Sequence, residues 1–96
     1  MVTIWSPRAQ AQLLAAYLYI SEDSPKNAQK VKDQIIDLSM QLSKNPERFP
    51  LDKYRRKNDG SFRAFELYRY RVSYKIMKDY ILIVRFRHAS MTPTFY

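Results

Sequence analysis

The chain has 96 residues, with 17 Lys/Arg against 9 Asp/Glu, a formal charge of +8 and no cysteine. That length holds one modest core and one domain, residues 1–96, and the missing cysteines exclude disulfides and thiolate metal sites and suit a reducing cytoplasm. The longest apolar run, Leu13 to Ile20, is far shorter than the roughly 20 residues that cross a bilayer, and no secretory leader opens the chain, so a soluble cytoplasmic protein is expected.

The charge is unevenly placed. Residues 1–47 carry five basic and five acidic side chains, whereas residues 48–96 carry twelve and four. A surplus confined to one half of a small domain points to a polyanionic or acidic partner for that half. A soluble basic surface without a specific ligand is the plainer alternative.

Val2–Trp5, β-branched and aromatic, reads as a first strand. Ser6-Pro7 then supplies a helix start, a serine cap followed by proline at the first helical position. Ala9, Leu13, Tyr17 and Ile20 follow at helical spacing, and Leu14 and Leu18 widen the apolar side, so this helix is expected to be covered from two directions. Ser24-Pro25 repeats the signal. Ala28, Val31, Ile35, Leu38 and Leu42 make the narrow seam of a second helix packed antiparallel on the first.

Asn45-Pro46 ends that helix. The stretch "NPERFPLDKYRRKNDGS" is long for a loop in so small a domain, and such loops are often functional. After a turn at Asp59-Gly60, strands are expected at Phe62–Leu67, Tyr70–Met77 and Tyr80–His88, with a short turn at Lys78-Asp79. In "YRYRVSYKI", Tyr70, Val72, Tyr74 and Ile76 alternate with Arg69, Arg71 and Lys75, so one face of this segment is apolar and the other cationic. The tail "ASMTPTFY", containing Pro93, is expected to be irregular. The order β-α-α-β-β-β predicts an α+β fold: a helical hairpin packed on one face of a mostly antiparallel four-stranded sheet. The cationic row falls on or beside the face the helices leave open.

In that order the segments "WSPRAQAQLLAAYLYI", "KNAQKVKDQIIDLSMQLSKNPERFP", "FRAFELYRYRVSYKI" and "ILIVRFRHASMTPTFY" resemble the RelE/ParE superfamily of bacterial toxins. The likeness covers essentially the whole chain and is strongest in the strand pair with its leading arginine and Tyr-Arg-aliphatic-x-Tyr core. It implies a growth-inhibiting toxin neutralised by a cognate antitoxin, with no cofactor and no membrane partner. It also implies two possible targets. RelE-like members cleave messenger RNA on the ribosome without metal, whereas ParE-like members inhibit DNA gyrase and need no catalytic constellation. A partner-only module without toxicity is a third reading.

Metal-free RNA cleavage requires a base for the 2′-hydroxyl, cations for the phosphorane charge and an acid for the leaving oxygen. By the resemblance, Arg71 matches the strand arginine of the RNA-cleaving members, and Tyr96 falls about where their C-terminal tyrosine sits. His88, the sole histidine, is the one side chain that ordinarily titrates near neutrality. Lys53, Arg55, Arg56 and Lys57 lie in the loop that supplies the family's lysines, and Arg63 and Arg87 add RNA-binding charge. The tail departs from the pattern: "ASMTP" stands where an arginine is expected, leaving Arg87 or His88 to substitute. The richness of basic residues inclines the reading towards RNA cleavage, with gyrase inhibition as the alternative. Plainer roles stand beside these: Arg71 and Arg63 paired with Glu66 across the sheet, a structural His88, and a Tyr96 that frays. Asp52, Asp59, Glu66 and Asp79 are scattered near turns, so a divalent-metal nuclease is not expected.

Overall fold

Two serine caps set the helices. Ser6 accepts from the Ala9 amide at 3.1 Å and Ser24 from the Asn27 amide at 3.1 Å, each just ahead of a proline in the first turn. The first strand, β1 (Val2–Trp5), leads into α1 (Pro7–Ser21) and α2 (Pro25–Gln41), which ends in a short 3-10 turn at Leu42–Lys44. After the long loop come β2 (Phe62–Leu67), β3 (Tyr70–Ile76) and β4 (Tyr80–His88). The computed structural model describes residues 1–92 and 94–96, so Pro93 of the predicted tail lies outside the described residues.

The sheet order is β1-β4-β3-β2, with β1 parallel to β4 and the other pairs antiparallel. The expected α+β fold, β-α-α-β-β-β with a helical hairpin on a mostly antiparallel sheet, is the one observed. Only the end of β3 differs, at Ile76 rather than Met77, because the Met77 amide turns to donate to the Tyr80 carbonyl at 2.9 Å.

The core lies between hairpin and sheet. Val31, Ile35 and Leu42 of the α2 seam meet Phe65, Val72, Tyr74, Ile81, Ile83 and Phe86, all buried. Ser39 ties α2 to β1: its hydroxyl accepts from the Trp5 indole at 3.1 Å and its carbonyl from the Thr3 hydroxyl at 2.7 Å. α1 behaves differently from expectation. Ala9, Leu13, Ala16 and Ile20 pack inward, but Leu14 and Leu18 are each 56% exposed and Tyr19 74%. The chain covers this helix from one side only.

Two local irregularities decide which residues face where. The β2–β3 hairpin turns through Tyr68 and Arg69, both left-handed with φ of 53° and 65°, so Leu67 pairs with Tyr70 and Glu66 with Arg71. Glycine or asparagine normally fills such a turn; here Tyr68 bonds Gln34 on α2 and the Arg69 carbonyl accepts from the Ala89 amide at 2.6 Å. Arg69 therefore sits in the turn, not in the cationic strand row. In β4 the register shifts so that Ser73 pairs with Arg85 but Tyr74 with Ile83, leaving Val84 as the extra residue. A bulge of this kind reverses the facing of everything beyond it.

Candidate functional site

Cross-strand pairing places three rungs on the face away from the helices: Glu66–Arg71–Arg87, Ala64–Ser73–Arg85 and Phe62–Lys75–Leu82. Without further cover, Arg71 would stand beside Arg87 with little compensation. Two segments supply it. The loop closes the outer edge of β2 through a bridge between Leu51 and Arg63 and the Asp52 amide donating to the Phe62 carbonyl at 2.9 Å, which carries Asp52 over the sheet. The tail returns to the same loop. The Tyr96 amide donates to the Tyr54 carbonyl at 3.0 Å, and the Arg56 amide donates to the Tyr96 carbonyl at 2.7 Å.

These segments meet at the Asp52 carboxylate, which is 1% exposed. One oxygen accepts from Arg71 Nη2 at 2.9 Å and from the Tyr54 amide at 3.1 Å; the other accepts from the Tyr96 hydroxyl at 2.5 Å. Arg71 Nη1 donates in addition to Glu66 at 3.2 Å. Burial alone would raise the Asp52 pKa, but the bonds from Tyr96, Arg71 and the Tyr54 amide overcome it and hold the carboxyl below its ordinary value. Burial, reinforced by the Asp52 carboxylate, pushes the Tyr96 phenol well above its usual range. The Ser73 hydroxyl, buried beside both groups, has no well-formed hydrogen-bond partner among the described residues.

Cations and rings alternate across this face. Arg85 lies over the Tyr96 ring at 4.2 Å, Arg55 spans Tyr96 at 5.3 Å and Phe62 at 4.1 Å, and Lys75 lies over Phe62 at 5.2 Å. Tyr54 is likewise flanked by Arg71 at 4.9 Å and Lys53 at 5.3 Å. Each such contact contributes about 0.5–1 kcal/mol or more where water is excluded, and together they let like charges stand on adjacent strands. Thr94 fastens the remaining arginines: its hydroxyl accepts from Arg85 at 3.1 Å and from Arg87 at 3.0 Å, and its carbonyl accepts from Arg85 at 2.7 Å.

The residues singled out in the sequence therefore divide. Arg71 and Tyr96 meet through Asp52. Tyr96 is pinned by main chain and side chain rather than frayed. His88 lies beyond the bulge, pairs with Tyr70 and packs edge-on against its ring at 5.1 Å. Its Nδ1 accepts from the Ser90 amide at 3.1 Å and contacts the Ser90 hydroxyl at 2.6 Å, which places the proton of the neutral ring on Nε2. Arg63 faces the helix side, opposite Tyr74, and donates to the Glu47 and Phe49 carbonyls at 3.3 and 2.7 Å. Of the two suggested partners of Glu66, only Arg71 reaches it. Arg55 is stacked, Arg87 is fastened to the tail, and Lys53, Arg56 and Lys57 stay exposed. The cavity between Arg71, Arg85, Arg87 and His88 is about 40 Å³, far below the roughly 300 Å³ of a small-molecule site. Among the described residues no three His, Asp or Glu side chains stand together as a metal site.

Asp52 is the central residue that the sequence reading passed over. Its only local signal is a single carboxylate inside the most basic stretch of the chain; its partners lie 19 and 44 residues away. The carboxyl's depressed pKa gives stability a sign in pH. The Asp52 contribution is fully present above its ordinary value of 3.8 and is lost as pH falls through the lower folded value. Urea unfolding should therefore show a loss below about pH 4 that the Asp52→Ala protein lacks. The Tyr96 shift acts oppositely: its contribution is present below the ordinary 10.0 and is lost as pH rises beyond it.

A helical hairpin on one side of a β1-β4-β3-β2 sheet, with a basic, tail-covered surface on the other, is the α+β architecture that the resemblance to the RelE/ParE superfamily implies. The description "ParE toxin of type II toxin-antitoxin system, parDE" matches residues 3–93. A solved chain titled "Chromosomal ParDE TA system from P. aeruginosa" shares the fold at a TM-score of 0.72 and 20% identity, covering 94% of this chain and 97% of that one. Among curated proteins none matches. The chain belongs to the ParE toxin family of type II toxin–antitoxin systems, and a cognate antitoxin is thereby its partner. No helix among the described residues is long and apolar enough to cross a membrane.

Proposed function

We propose that this toxin arrests growth as a ParE-like inhibitor of DNA gyrase, by binding and without cutting RNA. The observation that carries the reading is the engagement of Asp52 with both Arg71 and Tyr96. A phenol held protonated against a carboxylate is a poor general base, and an arginine already satisfied by two carboxylates offers little to a phosphorane. His88 is engaged by Ser90 and Tyr70 and hydrogen-bonds neither member of that pair. Membership of the ParE toxin family supports the same reading.

The antitoxin, in this reading, covers α1. Its exposed leucines stand between two grooves, one of about 480 Å³ lined by Trp5, Leu13, Ile36 and Met40 and one of about 470 Å³ lined by Ala16, Tyr70, Phe86 and His88. An amphipathic segment laid here would provide the second cover that α1 lacks.

Purified protein in a gyrase supercoiling assay, beside cell-free translation of a defined message, tests the reading. Suppressed supercoiling with intact message is expected. Cut message with unaffected gyrase would replace it by the ribosome-dependent endonuclease.

A further inference from the structure

We infer that the loop rim of the open sheet face is a contact surface for the phosphate backbone of duplex DNA, read without regard to sequence. The inference rests on the gyrase reading for the source of the duplex. Among the described residues, Lys53, Arg56, Lys57 and Lys75 have no carboxylate at salt-bridge distance, unlike Arg71. Their side chains make no hydrogen bond to the tail, unlike those of Arg85 and Arg87.

These charges stand on a fixed base. The Asn58 side chain donates to the Phe62 carbonyl at 2.8 Å and accepts from the Gly60 and Phe62 amides at 2.9 and 3.2 Å, while Tyr96 holds the loop at Tyr54 and Arg56. Lys75 projects from a central strand one rung away. Cations displayed from a rigid loop and strand lose less freedom on binding than the same charges on a mobile arm. The Asp59 carboxyl is held below its ordinary pKa by its bonds from Ser61 and, with them, by nearby Lys75, so Lys53, Arg56 and Lys57 carry most of the surface. The counterpart suited to such a run of unpaired cations is a polymer with a charge about every 1.7 Å of its axis.

The rings argue for backbone over bases. Tyr54, Phe62 and Tyr96 are already occupied by the protein's own cations, so they are not free as platforms for unstacked bases, which single-strand recognition uses. Contacts limited to phosphate position a protein on a duplex and carry no sequence information.

Fluorescence anisotropy of the purified protein on labelled duplexes of about 20 base pairs, titrated with salt from about 50 mM, tests this. Two unrelated duplex sequences should bind equally, and log K should fall linearly with log salt. The triple variant Lys53→Gln/Arg56→Gln/Lys57→Gln, with unchanged circular dichroism, should flatten that slope by about 2–3 and weaken binding about tenfold or more at the lowest salt. No duplex binding at the lowest salt, an unchanged slope in the variant, or tighter binding of single-stranded RNA or poly-glutamate of equal charge would overturn the inference. Gyrase supercoiling, read on the same samples, separates the two claims. Duplex binding with uninhibited gyrase supports this surface and removes the gyrase reading; inhibited gyrase with no duplex affinity does the reverse.

Discussion

Asp52→Ala should lower stability by about 3 kcal/mol, because it removes one partner from a buried charge pair and leaves the other behind. For a domain of this size that is a fall in melting temperature of roughly 15 °C. The carboxylate joins three otherwise separate pieces: β3 through Arg71, the basic loop through the Tyr54 amide, and the tail through Tyr96. Without it, Arg71 keeps only the exposed Glu66, and the Tyr96 hydroxyl loses its acceptor. Thermal and urea unfolding of Asp52→Ala, Tyr96→Phe and the double variant measure the effect. The two changes should be non-additive by more than about 0.5 kcal/mol, as members of one network are; additivity would mean that the tail docks independently of the carboxylate.

The second large effect concerns the antitoxin. Burying an exposed leucine contributes about 1.5–3 kcal/mol, so replacing Leu14 and Leu18 together by aspartate should weaken antitoxin binding by about 100-fold or more. Both side chains point to solvent in the lone chain, so its unfolding midpoint should move little. Calorimetric titration of the double variant with the cognate antitoxin reads the loss. Unchanged affinity would place the antitoxin elsewhere.

What was legible in the sequence was local. The Ser-Pro starts at residues 6 and 24 and the Ala28–Leu42 seam specify their helices through neighbours three or four places away. The alternation from Tyr70 to Ile76 likewise marks a strand with one apolar face. Arg63 could have been separated from Glu66 by the same rule, since residues three apart on a strand point oppositely. The turn at Tyr68-Arg69 could not be read, because its left-handed residues are held by contacts to α2 and to Ala89 rather than by glycine. The Val84 bulge was equally hidden; without it Arg85 and Arg87 would share the core face of Ile81 and Ile83. The apolar width of α1 was read as a helix covered from two directions, but this chain covers one and leaves Leu14 and Leu18 exposed. The Asp52 site joins residues up to 44 positions apart, a separation at which composition and period carry no signal.

The most direct test of a toxin that binds without cutting is the growth arrest caused by the His88→Ala/Tyr96→Phe double variant. Phenylalanine keeps the ring on which Arg55 and Arg85 stack and removes only the hydroxyl. Induced in a bacterium lacking the antitoxin, at a protein level matched to wild type and with folding verified, the variant should arrest growth as the parent does. Normal growth with the folded variant present would contradict the account, because those two side chains would then be performing chemistry that gyrase binding does not need.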